Sequence, residues 1–266
     1  MNRRAKRALK GLGFVAVALG GLYWYQPQRI DFLPRSAPDP NPPLDPDSAL
    51  LFKPGTRVSV VAAHPDDPEF FIGGTLTELS RAGAKIEIVM CTDGDKGYYP
   101  WFMTDAAANR RVRQREQIEA AKQYDAEVVF LHEPDGRLRA NDDVVERVTE
   151  ALARFQPEYV LTFDSEYPPK VQHSDHLQSG LAAEEAVKRV PSVKWLLQFS
   201  THAANHYVDI SDVWKIKKQL LTIHASQFHG DRLRMVTDMV GGRARDEGKA
   251  IGVAYAEGFR CTRYLR

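Results

Sequence analysis

The stretch RVSVVAAHPDDPEFFIGG, residues 57–74, decides how this chain folds. Its opening, Arg57 to Ala63, is a short β-branched apolar run, and an unbroken rather than alternating run is the pattern of a strand covered on both faces. From Phe70 to Ala82 the pattern turns helical, and Gly83 stands where a left-handed C-terminal cap belongs. Strand, polar loop and helix in that order open a βαβ unit.

The alternation continues outward. Lys85–Thr92 reads as a second strand, Ala106–Tyr124 as a helix with its Ala and apolar positions on one stripe, and Glu127–Leu131 as a third strand. Asp142–Phe155 is helical with Asn141 as its N-cap, Tyr159–Phe163 is a fourth strand, and Leu177–Lys188 is again helical. Trp195–Ser200 is extended, and Ser211–His224 forms a helix with Ser211 as N-cap. The prediction is an α/β domain over residues 55–266, Rossmann-like, with a mostly parallel sheet and helices on both faces. Ligands of such sheets bind beyond the carboxyl ends of the strands.

Two polar clusters fall on that edge. One is His64-Pro65-Asp66-Asp67-Pro68-Glu69 after the first strand; the other is His173-Ser174-Asp175-His176, reached through a loop carrying Asp164, Pro168 and Pro169 after the fourth. A catalytic zinc site takes three nitrogen or oxygen ligands and keeps one position open for water. Two adjacent aspartates cannot both reach one ion without strain, so one ligates and the other faces the water. Amide hydrolysis needs in addition a base for the proton and a donor at the developing oxyanion. The two clusters supply residue types for all of these tasks.

Together with Gly73-Gly74, Thr92-Asp93-Gly94-Asp95-Lys96-Gly97, Arg113-x-x-Glu116, His224-x-Ser226-Gln227 and Glu257-Gly258-Phe259-Arg260, these clusters resemble the motifs of the PIG-L/LmbE-like deacetylases, from about residue 57 to the C-terminus. That family consists of Rossmann-like zinc enzymes that hydrolyse the acetamide of N-acetylglucosamine conjugates. The resemblance implies that His64, Asp67 and His176 ligate zinc, or another divalent transition metal, and that Asp66 is the base. It implies that a cationic His173 stabilises the oxyanion, with Asp175 orienting it and raising its pKa, and that Arg113 reaches substrate hydroxyls or phosphate. Asp135, after the third strand, is a further candidate substrate contact. Pro68 before Glu69, and Ser174 where proline is usual, depart from the commonest pattern but keep the ligand spacing. Tyr98-Tyr99-Pro100-Trp101-Phe102 adds an aromatic lip suited to a sugar ring or acyl chain.

Blander readings hold elsewhere. His202 and His206 mimic an i, i+4 ligand pair but lie between extended segments, without the glutamate of a metalloprotease helix, and read as loop residues. His224, near a helix end, is read as bonding backbone. Arg110, Arg111 and Arg115 are a solvated helix face. Cys91 ends an apolar strand, and no metal-ligand spacing involves it or Cys261. The same zinc site could instead serve another N-acyl amide, such as an acylated antibiotic or a thiol conjugate, or a non-catalytic sugar-binding module, although retained Asp66 and His173 speak against the last. A dinucleotide oxidoreductase would need a glycine-rich turn after the first strand, where the His64 cluster stands.

With 36 basic against 35 acidic residues the net charge is +1, which gives no field for nucleic acid. The basic excess is N-terminal: Arg3, Arg4, Lys6, Arg7 and Lys10 precede an uncharged run from Gly11 to Tyr25 that closes on Tyr23, Trp24 and Tyr25. This predicts a signal anchor over residues 1–25, with the basic cluster cytoplasmic and the catalytic domain extracytoplasmic. Cleavage after Ala18-Leu19-Gly20 would discard the aromatic belt and release a secreted form, so an uncleaved anchor is the preferred reading. Eight prolines between Gln26 and Pro54 make residues 26–54 an extended spacer. The expected partners are an amino-sugar conjugate and the membrane.

Overall fold

The computed structural model describes residues 30–32, 53–97 and 105–264. The anchor over residues 1–25, most of the proline-rich spacer and the aromatic lip at Tyr98–Phe102 lie outside the described residues. Among those described, no helix is long and apolar enough to cross a membrane.

In chain order the elements are β1 (Ile30–Phe32), β2 (Arg57–Ala62), α1 (Asp67–Arg81), β3 (Lys85–Thr92), α2 (Ala106–Lys122), β4 (Ala126–Glu133), α3 (Asp142–Phe155), β5 (Tyr159–Phe163), β6 (Val171–His173) and α4 (Ser174–Arg189). There follow β7 (Trp195–Phe199), β8 (His206–Asp209), a 3-10 turn at Ser211–Val213, α5 (Trp214–Ile223), α6 (Gly230–Ile251) and β9 (Ala256–Arg263). Seven strands form one sheet in the order β4-β3-β2-β5-β7-β9-β8. The pairings of β2 with β3 and β5, of β3 with β4 and of β5 with β7 are parallel, whereas β9 runs antiparallel to both β7 and β8. The short β1 pairs antiparallel with β6, outside the main sheet.

Alternate residues of the central strands feed two cores. Val58, Val60 and Ala62 of β2 pack with Ile72, Leu76 and Leu79 of α1, while Val61 packs with Val144, Val148 and Leu152 of α3 and Ala182, Ala183 and Ala186 of α4. All these side chains are buried, which is why β2 reads as a continuous apolar run instead of an alternating one. Between β2 and β5 the order of the parallel strands reverses direction. That topological switch opens a crevice at their carboxyl ends, into which both polar clusters project.

Several boundaries differ from the sequence reading. α1 begins at Asp67, three residues before Phe70, and is kinked at the non-helical Ile72 (φ −131°). α4 begins at Ser174, so His173 is its N-cap instead of a loop residue. Ser211 opens a 3-10 turn, with its hydroxyl on the backbone of Tyr255, and α5 starts at Trp214. His206 is not in a loop: it sits in β8, nearly buried, its ring 6.3 Å from that of Phe259. Asn141 does cap α3, its side chain accepting from Val144 N–H at 3.0 Å, and Gly83 is left-handed (φ 78°).

Candidate metal centre and active site

At the carboxyl end of β2 the chain turns sharply. Asp66 takes φ 106°, ψ −26°, a left-handed conformation that costs a residue other than glycine about 1–3 kcal/mol. The turn sends Asp67 back beneath His64, whose backbone N–H donates to Asp67 Oδ2 at 2.7 Å. Asp67 Oδ2 then lies 3.5 Å from His64 Nδ1, and Asp67 Oδ1 lies 3.1 Å from His176 Nε2. Ligand atoms of His64, Asp67 and His176 all fall within 4.8 Å of one another, so two segments 109 residues apart bring one carboxylate and two imidazoles together.

Each of these candidate ligands is held by its element. The His176 ring stacks on Phe163, the last residue of β5, with centroids 4.0 Å apart and planes 6° from parallel. The far side of His64 faces carboxylates: Nε2 lies 3.2 Å from Asp135 Oδ1 and 3.4 Å from Asp175 Oδ2. Both are charge contacts; among the described residues His64 Nε2 and Asp135 Oδ1 make no aligned hydrogen bond. A carboxylate behind a ligating imidazole fixes its tautomer and raises its basicity.

The electrostatics follow. Burial alone would lower the His64 pKa, but Asp135, Asp175 and Asp67 outweigh it and hold the imidazole well above its usual value. Burial would raise Asp67, yet His176 and His64 hold it well below the carboxylate range. Three inward carboxylates around one imidazole call for positive charge. The donor set, two nitrogens and one carboxylate oxygen, suits a divalent transition metal, and the residues fit a zinc ion.

Asp66 behaves differently from its neighbour. Burial first, and then the Asp67 charge, push it up to about 6 against the pull of Arg113. His173 is drawn the other way, down to about 3, by burial and by the neighbouring His64 and His176. Its Nδ1 accepts from the Asp175 N–H at 3.1 Å, which leaves the proton of a neutral ring on Nε2. That Nε2 is buried and makes no hydrogen bond among the described residues.

The expectations for His173, Arg113, Asp135 and His224 change accordingly. Burial and its two histidine neighbours favour the neutral form of His173 over the expected cation. Asp175 does orient it through its backbone N–H, and its carboxylate, which accepts from Gly136 N–H (2.7 Å) and Leu138 N–H (3.3 Å), pulls the His173 pKa up as expected but is outweighed by burial, His64 and His176. Arg113 does not reach outward for substrate: it is 3% exposed and donates to Gly94 O (2.7 Å), to Asp66 Oδ2 (2.9 Å) and to Pro65 O. Asp135, at 1% exposure, is likewise turned inward, accepting from Lys96 N–H at 2.7 Å behind His64. Among the described residues the His224 ring bonds no backbone; its Nε2 donates to the Glu69 carboxylate at 2.9 Å. Gln117, which no motif marks, accepts from the Asp66 N–H at 3.0 Å; its only sequence signal is a place one turn after Arg113 on α2. Beside His173 and His176 opens a cavity of about 260 Å³, walled by Phe70, Phe71, Val171 and Met239.

Comparison with known proteins agrees with this architecture. Residues 59–187 match the family described as PIG-L, GlcNAc-PI de-N-acetylase. Over 220 residues the chain is 27% identical to a diacetylchitobiose deacetylase of Thermococcus kodakarensis, covering 77% of this chain and 82% of that protein. The solved structure of N,N'-diacetylchitobiose deacetylase from Pyrococcus horikoshii, complexed with its inhibitor MPG, superposes with a TM-score of 0.75 at 27% identity, covering 78% of this chain and 84% of that one. A 4-oxalmesaconate hydratase of Pseudomonas putida is 25% identical over 225 residues, or 76% of this chain and 87% of the hydratase. The matched segment contains both polar clusters and the switch point between β2 and β5, and over it the chain is similar to the PIG-L family.

Proposed function

We propose that this protein is a zinc-dependent hydrolase that removes the N-acetyl group from an N-acetylglucosamine-type conjugate and releases acetate. The observation that carries the reading is the division of labour between adjacent aspartates: Asp67 sits among the metal donors, while Asp66, held at about 6, stays out of that group. A bound zinc would supply Lewis acidity and make water acidic enough to react near neutral pH. Asp66 takes the proton of the attacking water and returns it to the leaving amine. His173 presents its Nε2–H to the oxygen on which negative charge develops. The cavity beside His173 and His176 has room for more than a two-carbon acyl group, in keeping with a conjugate as substrate.

The test is acetate release by the purified, zinc-loaded full chain on a panel of N-acetylglucosamine glycosides and lipid-linked forms. Activity confined to longer acyl chains would replace the acetyl reading with that of an amidase for acylated antibiotics or thiol conjugates. The similarity to a hydratase supports a second reading, addition of water to a conjugated double bond of a small polycarboxylate. Loss of such a substrate's ultraviolet absorbance, without activity on any amide, would favour it. From the sequence we further infer that residues 1–25 anchor the chain, that residues 26–54 space it from the bilayer, and that the domain at 55–266 lies outside the cytoplasm. Protease accessibility of the domain in intact spheroplasts checks this, and protection there would reverse the orientation.

A further inference from the structure

A left-handed aspartate persists only where its surroundings over-determine it. For Asp66 those surroundings are one face of α2. Arg113 and Gln117 stand four residues apart, hence on the same face, and between them take hold of the turn. Arg113 binds the Pro65 carbonyl and the Asp66 carboxylate; the Gln117 carboxamide oxygen accepts from the Asp66 N–H.

The orientation of that carboxamide is itself dictated. Gln117 Nε2 donates to Glu69 Oε1 at 2.9 Å, and a flipped amide would set oxygen against carboxylate and NH2 against N–H. Glu69 is held in turn by Tyr124 OH (2.5 Å) and His224 Nε2 (2.9 Å), and Gln117, Glu69, Tyr124 and His224 are all fully buried. The connection after α5 also grips α2 directly, since the Ser226 N–H and hydroxyl donate to Glu116 at 2.8 and 2.6 Å. Glu69 and His224, which hydrolysis leaves without a task, thus reach the backbone of the base through Gln117, while Glu116 and Ser226 tie the same helix to the connection after α5.

We propose that Gln117, oriented by the buried Glu69–His224 pair, is a positioning residue: it holds the Asp66 backbone in the left-handed conformation that aims its carboxylate at the reacting water, without touching substrate. The kinetic consequence rests on the deacetylase reading above; the structural consequence does not.

The experiment uses the zinc-loaded full chain and an N-acetylglucosamine glycoside. Gln117→Met keeps the shape and removes both hydrogen bonds. It should lower kcat about 30- to 100-fold with KM changed less than about threefold, the signature of a misplaced catalytic group. Zinc content should stay at the wild-type level. His224→Leu should lower kcat in the same manner, and His224→Gln, whose amide can still donate to Glu69, should restore most of it. Glu87→Gln provides the control: Glu87 is fully buried between Ser59 and Arg154 near the opposite end of β3, so it should lower Tm and leave kcat alone. Crystal structures of wild type and Gln117→Met give a readout that needs no substrate: Asp66 should move while His64, Asp67 and His176 stay. An unmoved Asp66, an unchanged kcat in both Gln117→Met and His224→Leu, or a loss that merely follows Tm as in Glu87→Gln would overturn the proposal. Should wild type release no acetate, the deacetylase reading falls, and the Asp66 position in the two crystal structures still decides this one.

Discussion

Asp66 and Asp67 are identical residues side by side, and their surroundings push their pKa values in opposite directions. Separation of that kind marks acid–base assignments in active sites. Asp66→Asn should therefore abolish turnover while metal analysis still finds zinc at the wild-type level, whereas Asp67→Asn should lose both; metal lost with Asp66→Asn would contradict the assignment. A base must be unprotonated, so kcat/KM should fall as pH drops through the Asp66 pKa. With a cation bound nearby, that acid limb should lie at or below about 6. Arg113 stabilises the charged carboxylate from 2.9 Å, so Arg113→Gln should move the limb to higher pH. A limb that stays put or moves down would show that Arg113 does not govern Asp66.

At the level of elements, the candidate ligand set depends on how closely α4 approaches β5. Gly180 on α4 makes that approach: a Cβ there would stand 2.4 Å from the Phe163 carbonyl oxygen, a backbone atom with no way to yield. The same Phe163 carries the His176 ring on its face. Gly180→Ala should therefore lift α4 from the sheet, cost about 1–3 kcal/mol by overpacking, and weaken zinc affinity by displacing His176. Denaturant unfolding and competition with a zinc indicator measure the two effects, and a variant as stable and as tight-binding as wild type would refute the coupling.

For the molecule as a whole, a metal that binds the folded state alone stabilises it by mass action. Zinc at 100 times its dissociation constant should add about 2.7 kcal/mol, and chelation should remove it. An unfolding curve indifferent to zinc and chelator would remove the metal centre from the account. The fully buried Cys91, its thiol pushed up to about 12 by burial, should be inert to thiol reagents in the native state, so at most the partly exposed Cys261 reacts. Two rapidly labelled thiols would contradict the packing of β3 against α3 and α4.

What the sequence determined by itself is local and periodic. Apolar runs of strand length, caps such as Asn141 and the turn glycine Gly83 depend on neighbours a few residues away, so β2 to β5, β7, α3 and the cap of α1 were legible. The two histidine–aspartate clusters were legible as chemistry because each lies within a few consecutive residues. β8, α6 and β9 were not: β8 becomes a strand only by pairing with the first half of β9, the Cys261 end of β9 only by pairing with β7, and α6 carries Gly230, Gly241, Gly242 and Gly248 among many charges, which blurs its apolar stripe. Tertiary structure alone decided that Arg113 and Asp135 face inward, that His224 meets Glu69 across 155 residues, and that Gln117 grips Asp66, because in a buried site a polar side chain's partner is set by which element the fold lays beside it.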